Sequence, residues 1–145
     1  MIWRSNSVEE TEAIGAQLAR ELAPDRALLL RGELGAGKTV LVRGLARGLG
    51  IDPAEIQSPT YTLVREHRSS AARLVHLDLY RLTADEVAAA GFEELLLGSG
   101  VKAVEWAERL PFELPGALVV EIERRGEVRE IRRLSGEARS STRRE

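Results

Sequence analysis

Cysteine is absent from the 145-residue chain, which excludes disulfides, zinc–thiolate sites and thiol nucleophiles. Lysine is nearly absent as well: Lys38 and Lys102 are the only two, and basic charge otherwise rests on arginine. No apolar stretch approaches the ~20 residues of a membrane span. Met1-Ile2-Trp3-Arg4-Ser5 also lacks a secretory hydrophobic region, so the expectation is a cytoplasmic chain with no membrane partner. A net charge of only −2 leaves no global field to draw the chain to nucleic acid, although Arg139, Arg143 and Arg144 form a basic patch near the end. The composition, 43% hydrophobic and 30% charged, is that of a globular protein. The length suits one domain with a sizeable core and is too short for a nucleotide-binding domain plus a full second domain.

Against this background one stretch stands out. Gly32-Glu33-Leu34-Gly35-Ala36-Gly37-Lys38-Thr39 fits the phosphate-binding pattern G-x-x-x-x-G-K-[ST] at every required position. Upstream, Ala27 to Leu30 is an apolar run that reads as a buried strand; downstream, Val40, Leu41, Leu45 and Leu49 recur at helical spacing. A strand, a glycine-rich turn and a helix start gather unpaired backbone N–H groups at the positive end of the helix dipole, where phosphate binds. Gly32, Gly35 and Gly37 allow backbone angles and close approaches that a Cβ would forbid. Lys38 brings a mobile cation to the β- and γ-phosphates, and arginine-rich composition makes a lysine there informative. Thr39 offers a hydroxyl to a Mg²⁺ ion bridging those phosphates.

Around this loop the pattern is that of an α/β chain. Ser7 to Leu22 predicts an amphipathic helix with Val8, Thr11, Ile14, Leu18 and Leu22 on one stripe and a Ser7/Glu10 capping box. Because it precedes the loop, its start could lie over the adenine of a bound nucleotide, although core packing also explains the stripe. After Gly48 and Gly50, Ser58-Pro59-Thr60-Tyr61-Thr62 is a hydroxyl-rich segment where such proteins sense the γ-phosphate; it also reads as a turn opening a strand. Thr62 to His67 and Arg73 to Tyr80 predict an antiparallel hairpin, and the second strand delivers Asp78, a candidate on the metal or water side. Thr83 and Glu86 cap a short helix over 85–90 that Gly91 ends, with Phe92 to Leu97 a further turn or two. Val101 to Trp106 repeats the arrangement of an apolar strand ending in an acid, making Glu105 a second candidate, with Trp106 read as packing. Ala117 to Ile122 and Val128 to Leu134 alternate about an Arg125-Gly126 turn, a terminal hairpin. Residues 135–145 have no apolar periodicity and predict a disordered tail, leaving 1–134 as a single domain.

A guanine-reading Asn-Lys-x-Asp element is missing, since neither lysine follows an asparagine, and ATP is favoured over GTP. A small-molecule kinase remains open, although the only interval long enough for a lid, Thr83 to Gly100, is largely Ala, Leu and Glu.

In combination, G-E-L-G-A-G-K-T, S-P-T-Y-T-L-V, H-L-D-L-Y-R-L and V-E-W, in that order over about residues 5 to 134, resemble the bacterial TsaE (YjeE) family. The resemblance implies an α/β P-loop NTPase-like three-layer sandwich, its central sheet mostly parallel with antiparallel marginal strands. It implies a Mg²⁺-dependent ATPase required for threonylcarbamoyladenosine at position 37 of tRNA. Such a protein acts with TsaD-like and TsaB-like partners, touches tRNA only through that complex, and is a monomer or weak oligomer alone. Carried onto this chain, Gly32, Gly35, Ala36, Gly37, Lys38, Thr39 and Val40 contact nucleotide, and Thr39 and Glu105 face Mg²⁺. Asp78 is required for hydrolysis with Lys38 and Glu105, and Thr60 lies by the nucleotide or a partner. The resemblance further suggests nucleotide contacts from Ser7, Thr11, Glu108 and Arg129. A nucleotide-gated binding module, in which hydrolysis is incidental, is the third alternative.

Overall fold

A computed structural model describes residues 1–33, 35–57 and 64–135. The chain runs β1 (Ile2–Ser5), α1 (Val8–Leu22), β2 (Ala27–Arg31), α2 (Lys38–Gly48), β3 (Val64–Arg68), β4 (Arg73–Asp78), α3 (Ala84–Ala90), α4 (Phe92–Leu97), β5 (Val101–Glu105), β6 (Leu118–Arg125) and β7 (Val128–Ser135). Single 3₁₀ turns occupy Pro53–Glu55 and Ala107–Arg109.

The seven strands form one sheet in the order β1-β7-β6-β2-β5-β4-β3. The four inner strands β6, β2, β5 and β4 are mutually parallel, and β1, β7 and β3 join antiparallel. Parallel strands need crossovers that place helices on the sheet faces, and strands buried on both faces carry unbroken apolar runs. In β2, Leu28 and Leu30 enter a core shared with Ile14, Leu18, Leu41 and Leu45 of α1 and α2, while Ala27 and Leu29 enter the opposite one with Val87 and Leu96 of α3 and α4. The three-layer α/β expectation holds, and the parallel strands all point their carboxyl ends to one edge.

Several predicted bounds move. Strand β4 stops at Asp78, and Tyr80 and Arg81 form a turn, so the strand does not run to Tyr80 as the composition suggested. The edge strand β1 had no counterpart in the sequence reading; it pairs with β7 from Ile2↔Arg132 to Ser5↔Arg129. Val8, placed on the buried stripe of α1, is 54% exposed, whereas Gly15 and Ala19 are buried. Ser7 does cap α1, accepting from the Glu10 N–H at 3.0 Å, but Glu10 reaches back to the Asn6 N–H at 2.6 Å rather than to its own cap. The expected terminal hairpin forms with a two-residue turn, Gly126 having φ 65°. Ser135, placed in the predicted tail, instead ends β7 opposite Val119; Thr60 and the rest of residues 58–63 lie outside the described residues, as do the remaining tail residues 136–145.

Candidate functional site

Three strand ends converge where β2 leaves the sheet. In the parallel register Leu30 sits beside Glu105 on one side of β5 and Asp78 sits beside Glu105 on the other. Clefts outside the carboxyl ends of parallel strands are where open α/β sheets bind ligands. Side chains alternate between faces, so Leu74, His76 and Asp78 on β4 and Val101, Ala103 and Glu105 on β5 form two rows on the side that α2 covers. The row ends are acids because the apolar core ends there.

The turn from β2 to α2 shows why glycine is required. At Gly32, φ is 148° and a Cβ would lie 2.5 Å from the Ile122 carbonyl oxygen of β6, a clash with backbone. Gly37 is the N-cap of α2 at φ 113°, and among the described residues no side chain caps that helix end. The opening amides of α2 therefore carry uncompensated partial positive charge, and at Gly35 the space a Cβ would enter is open. This end of α2 fits a phosphate.

Lys38 is 5% exposed, and its Nζ donates to the carbonyls of Gly32 at 2.5 Å and Glu33 at 2.9 Å. The same ammonium lies 4.3 Å from the centre of the Trp106 ring. Burial lowers the Lys38 pKa below the usual lysine value, opposed by the charges of Glu105, Glu108, Asp78 and Glu33. The Thr39 hydroxyl donates to Glu105, 3.1 Å from Oε2 and 3.3 Å from Oε1. On its other side Glu105 meets His76, whose Nε2 is 2.6 Å from Oε2. Asp78 accepts from the Tyr80 N–H at 2.9 Å. Its carboxyl is raised above the ordinary aspartate value, first by burial and then by the charge of Glu105, against the pull of the Tyr80 N–H, His76 and Lys38.

Trp106 packs against the core beneath α3 and α4, as expected, and also forms part of the site. It holds a left-handed backbone, φ 60° and ψ 44°, a conformation that costs an L-residue roughly 1–2 kcal/mol. Its ring stacks on Tyr80 at 4.9 Å with a 40° tilt, and the Arg109 guanidinium lies 5.5 Å from it. Arg109 donates to the Tyr80 and Leu82 carbonyls at 2.5 and 2.7 Å, tying the turn after β4 to the turn after β5.

A second group of sequence-predicted residues meets beside the loop. Ser7, Thr11 and Arg129 line a cleft of about 270 Å³ together with Val8, Gly35, Gly37, Val40 and Glu127. The Thr11 hydroxyl is engaged with Ser5 at 2.7 Å, so Thr11 shapes the wall through its carbon atoms as much as its oxygen. The larger cleft of about 570 Å³ lies at the other end of the sheet, against Asp25, Arg26 and Lys102, and shares none of these residues. The smaller cleft is the one that adjoins the glycine-rich turn and the start of α2, through Gly35, Gly37 and Val40.

The loop residues, Lys38, Thr39, Asp78, Glu105 and Glu108 thus come to one edge, with Ser7, Thr11 and Arg129 beside them; Thr60 lies outside the described residues. The sequence reading missed His76 and the stacking of Trp106 on Tyr80. For His76 a signal existed: it stands two residues before Asp78 in a strand, hence on the same face. Among the described residues no three acids or histidines form a metal cluster, and no helix is long and apolar enough to cross a membrane.

Comparison with known proteins gives the lineage. The family model described as "Threonylcarbamoyl adenosine biosynthesis protein TsaE" matches residues 5–134. The tRNA threonylcarbamoyladenosine biosynthesis protein TsaE of Synechocystis is 51% identical over 105 residues, covering 70% of this chain and 66% of the relative, just under two thirds of its length. The Bacillus subtilis protein of that name is 42% identical, covering 78% of this chain and 70% of its own, and the Aquifex aeolicus one 38%, covering 81% and 82%. The crystal structure of Bacillus subtilis YdiB superposes with a TM-score of 0.70 at 38% identity, covering 90% of this chain and 82% of that one. With four parallel strands, one of which, β2, leads into a glycine-rich loop, and with likeness over most of its length, the chain belongs to the TsaE family of tRNA threonylcarbamoyladenosine biosynthesis proteins.

Proposed function

We propose that the chain is a Mg²⁺-dependent ATPase that acts in the cytoplasm with TsaD-like and TsaB-like proteins in threonylcarbamoyladenosine modification of tRNA. The observation that carries this reading is the Thr39 hydroxyl at 3.1 Å from Glu105, beside Lys38 and at the uncapped start of α2. The donor set suits the ion: Mg²⁺ takes hard oxygens and is usually held by one or two protein groups plus substrate phosphates, so no larger cluster is needed. Thr39 and Glu105 would hold it, and when bound it would neutralise charge on the β- and γ-phosphates.

The remaining chemistry belongs to the protein. The opening amides of α2 would donate to the phosphates, and Lys38 would exchange its two carbonyl acceptors, Gly32 and Glu33, for phosphate oxygens. Its charge is then aimed at the oxygens that become more negative as the γ-phosphoryl group leaves ADP for water. Asp78, beside Glu105 and within the field of Lys38, accepts a hydrogen bond from that water and aligns it. Phosphoryl transfer asks little covalent work of a protein, so positioning and field carry the rate. The cleft beside Gly37, walled by Val8, Val40 and the Arg129 side chain, receives the base. The absence of a guanine-reading element supports ATP as the nucleotide.

Calorimetric titration of wild type and Lys38→Ala with MgATP tests the assignment. A loss of at least ~100-fold in affinity is expected, about 2.7 kcal/mol; equal affinity would show the loop to be a mere turn. A chase of γ-labelled phosphate separates this reading from a kinase, since hydrolysis releases inorganic phosphate and a kinase passes the label to an acceptor.

A further inference from the structure

Glu105 sits 3% exposed at the end of β5, with hydrogen-bonding neighbours on two sides. Its Oε2 meets His76 Nε2 at 2.6 Å and the Thr39 hydroxyl at 3.1 Å, whereas its Oε1, among the described residues, has only the longer 3.3 Å approach of that same hydroxyl. His76 is fully buried, and its other ring nitrogen, Nδ1, has no hydrogen-bond partner among the described residues. An ionised carboxylate has no hydrogen to give, so the hydrogen in the His76–Glu105 contact belongs to Nε2.

We infer that His76 is the positioning residue for Glu105: it pins Oε2 and leaves Oε1 as the oxygen presented to the cation beside Thr39. This rests on the proposed binding of Mg²⁺ and ATP at the loop. A carboxylate on a side chain with three rotatable bonds swings between its neighbours unless a second partner holds it. A histidine two residues before the end of the adjacent strand lies on the right face to do so. Hydrogen-bond partners behind a metal-side ligand typically change metal affinity 10–100-fold when removed, without touching the metal. His76 therefore acts on the affinity for the cation and not on the nucleotide itself.

The test measures Mn²⁺ binding by electron paramagnetic resonance in the presence of a non-hydrolysable ATP analogue, for wild type, His76→Leu and His76→Gln. Analogue binding in EDTA is measured beside it. The expected result is a 10–100-fold weaker metal affinity in His76→Leu with metal-free analogue binding unchanged. In His76→Gln, whose side-chain amide offers an N–H at similar reach, metal affinity should largely return. Wild-type metal affinity in His76→Leu would overturn the inference alone. No metal binding by wild type with the analogue would overturn the Mg²⁺–ATP reading and the inference with it. Should His76→Leu not fold, the long-range ¹H–¹⁵N spectrum of the wild-type imidazole decides. A hydrogen on Nε2 supports the contact as described; one on Nδ1 alone refutes it, because Nε2 could then donate nothing to Glu105.

Discussion

Asp78 and Glu105 are neighbours in the sheet, yet their surroundings differ. Glu105 is held by Thr39 and His76, which suits a fixed acid facing a cation. Among the described residues Asp78 has one backbone partner, the Tyr80 N–H, and burial raises its pKa, which suits a group that accepts a hydrogen bond from water. Asp78→Asn should keep MgATP affinity within a few-fold while lowering steady-state hydrolysis by about 10²–10⁴, read by phosphate release. Unchanged turnover would move the water to Glu105. Lys102, the other lysine, answers to a different need. It is 2% exposed, and its Nζ donates to the carbonyls of Asp25 and Gly98, each at 2.6 Å. Lys102→Met would leave both carbonyls without that donor, costing about 1–3 kcal/mol at neutral pH in urea unfolding. Burial holds its native pKa below the usual lysine value, so the unfolded chain binds more protons than the native one in the interval between the two values. Wild-type stability therefore rises with pH there, and its advantage over Lys102→Met should widen as pH climbs through that interval; a constant gap would contradict the assignment.

At the scale of elements, the contact between α1 and α2 decides how the phosphate loop is held. Gly15 and Gly44 let the two helix backbones touch: a Cβ on Gly15 would lie 2.2 Å from the Leu41 carbonyl oxygen, and one on Gly44 would lie 2.0 Å from that of Glu12. Neither carbonyl belongs to a flexible side chain, so neither can step aside cheaply. Gly44→Ala should cost at least about 1–3 kcal/mol through overpacking, despite the gain in helix propensity of up to ~1 kcal/mol. The measurement is the shift in the urea midpoint, and a midpoint at or above wild type would mean that the helices do not cross this closely. Close crossing also brings the start of α1 to the start of α2, which puts Ser7 and Thr11 on the same cleft as Gly37 and Val40.

On the scale of the molecule, the site gathers pieces from most of the chain. The loop and Lys38 come from the first third, Asp78 from the middle and Glu105 with Trp106 from the last third. Arg109 ties the turn at Tyr80–Leu82 to the Trp106–Arg109 turn. In a reconstituted reaction with TsaD-like and TsaB-like proteins, tRNA and ATP, adding the chain should raise modification beyond the first round. Asp78→Asn should bind the pair without sustaining repeated rounds. Modified tRNA counted per partner complex checks this, and equal yields with and without the chain would remove it from the pathway while leaving the ATPase.

Local patterns settled much of this in advance. The glycine spacing, the lysine in an arginine-rich chain, the apolar run of β2 and the acid at the end of β5 are each legible within a few residues. They depend on backbone angles, charge and burial, which act over that range. What the one-dimensional pattern left open was distance between segments far apart in the chain. Whether β4 ended at Asp78, whether Val8 was buried, and which acid faced Thr39 all turned on the order β2-β5-β4 and its register. His76 was visible as a letter in H-L-D-L-Y, but its role arises only because β5, 29 residues later, lies alongside β4 and brings Glu105 to 2.6 Å. The sequence by itself determined the loop, its glycines and the placing of Lys38 and Thr39 at the start of α2, because those groups are covalent neighbours. The tertiary structure alone decided which distant side chains complete that site, because strand pairing at fixed spacing is what turns separated residues into partners.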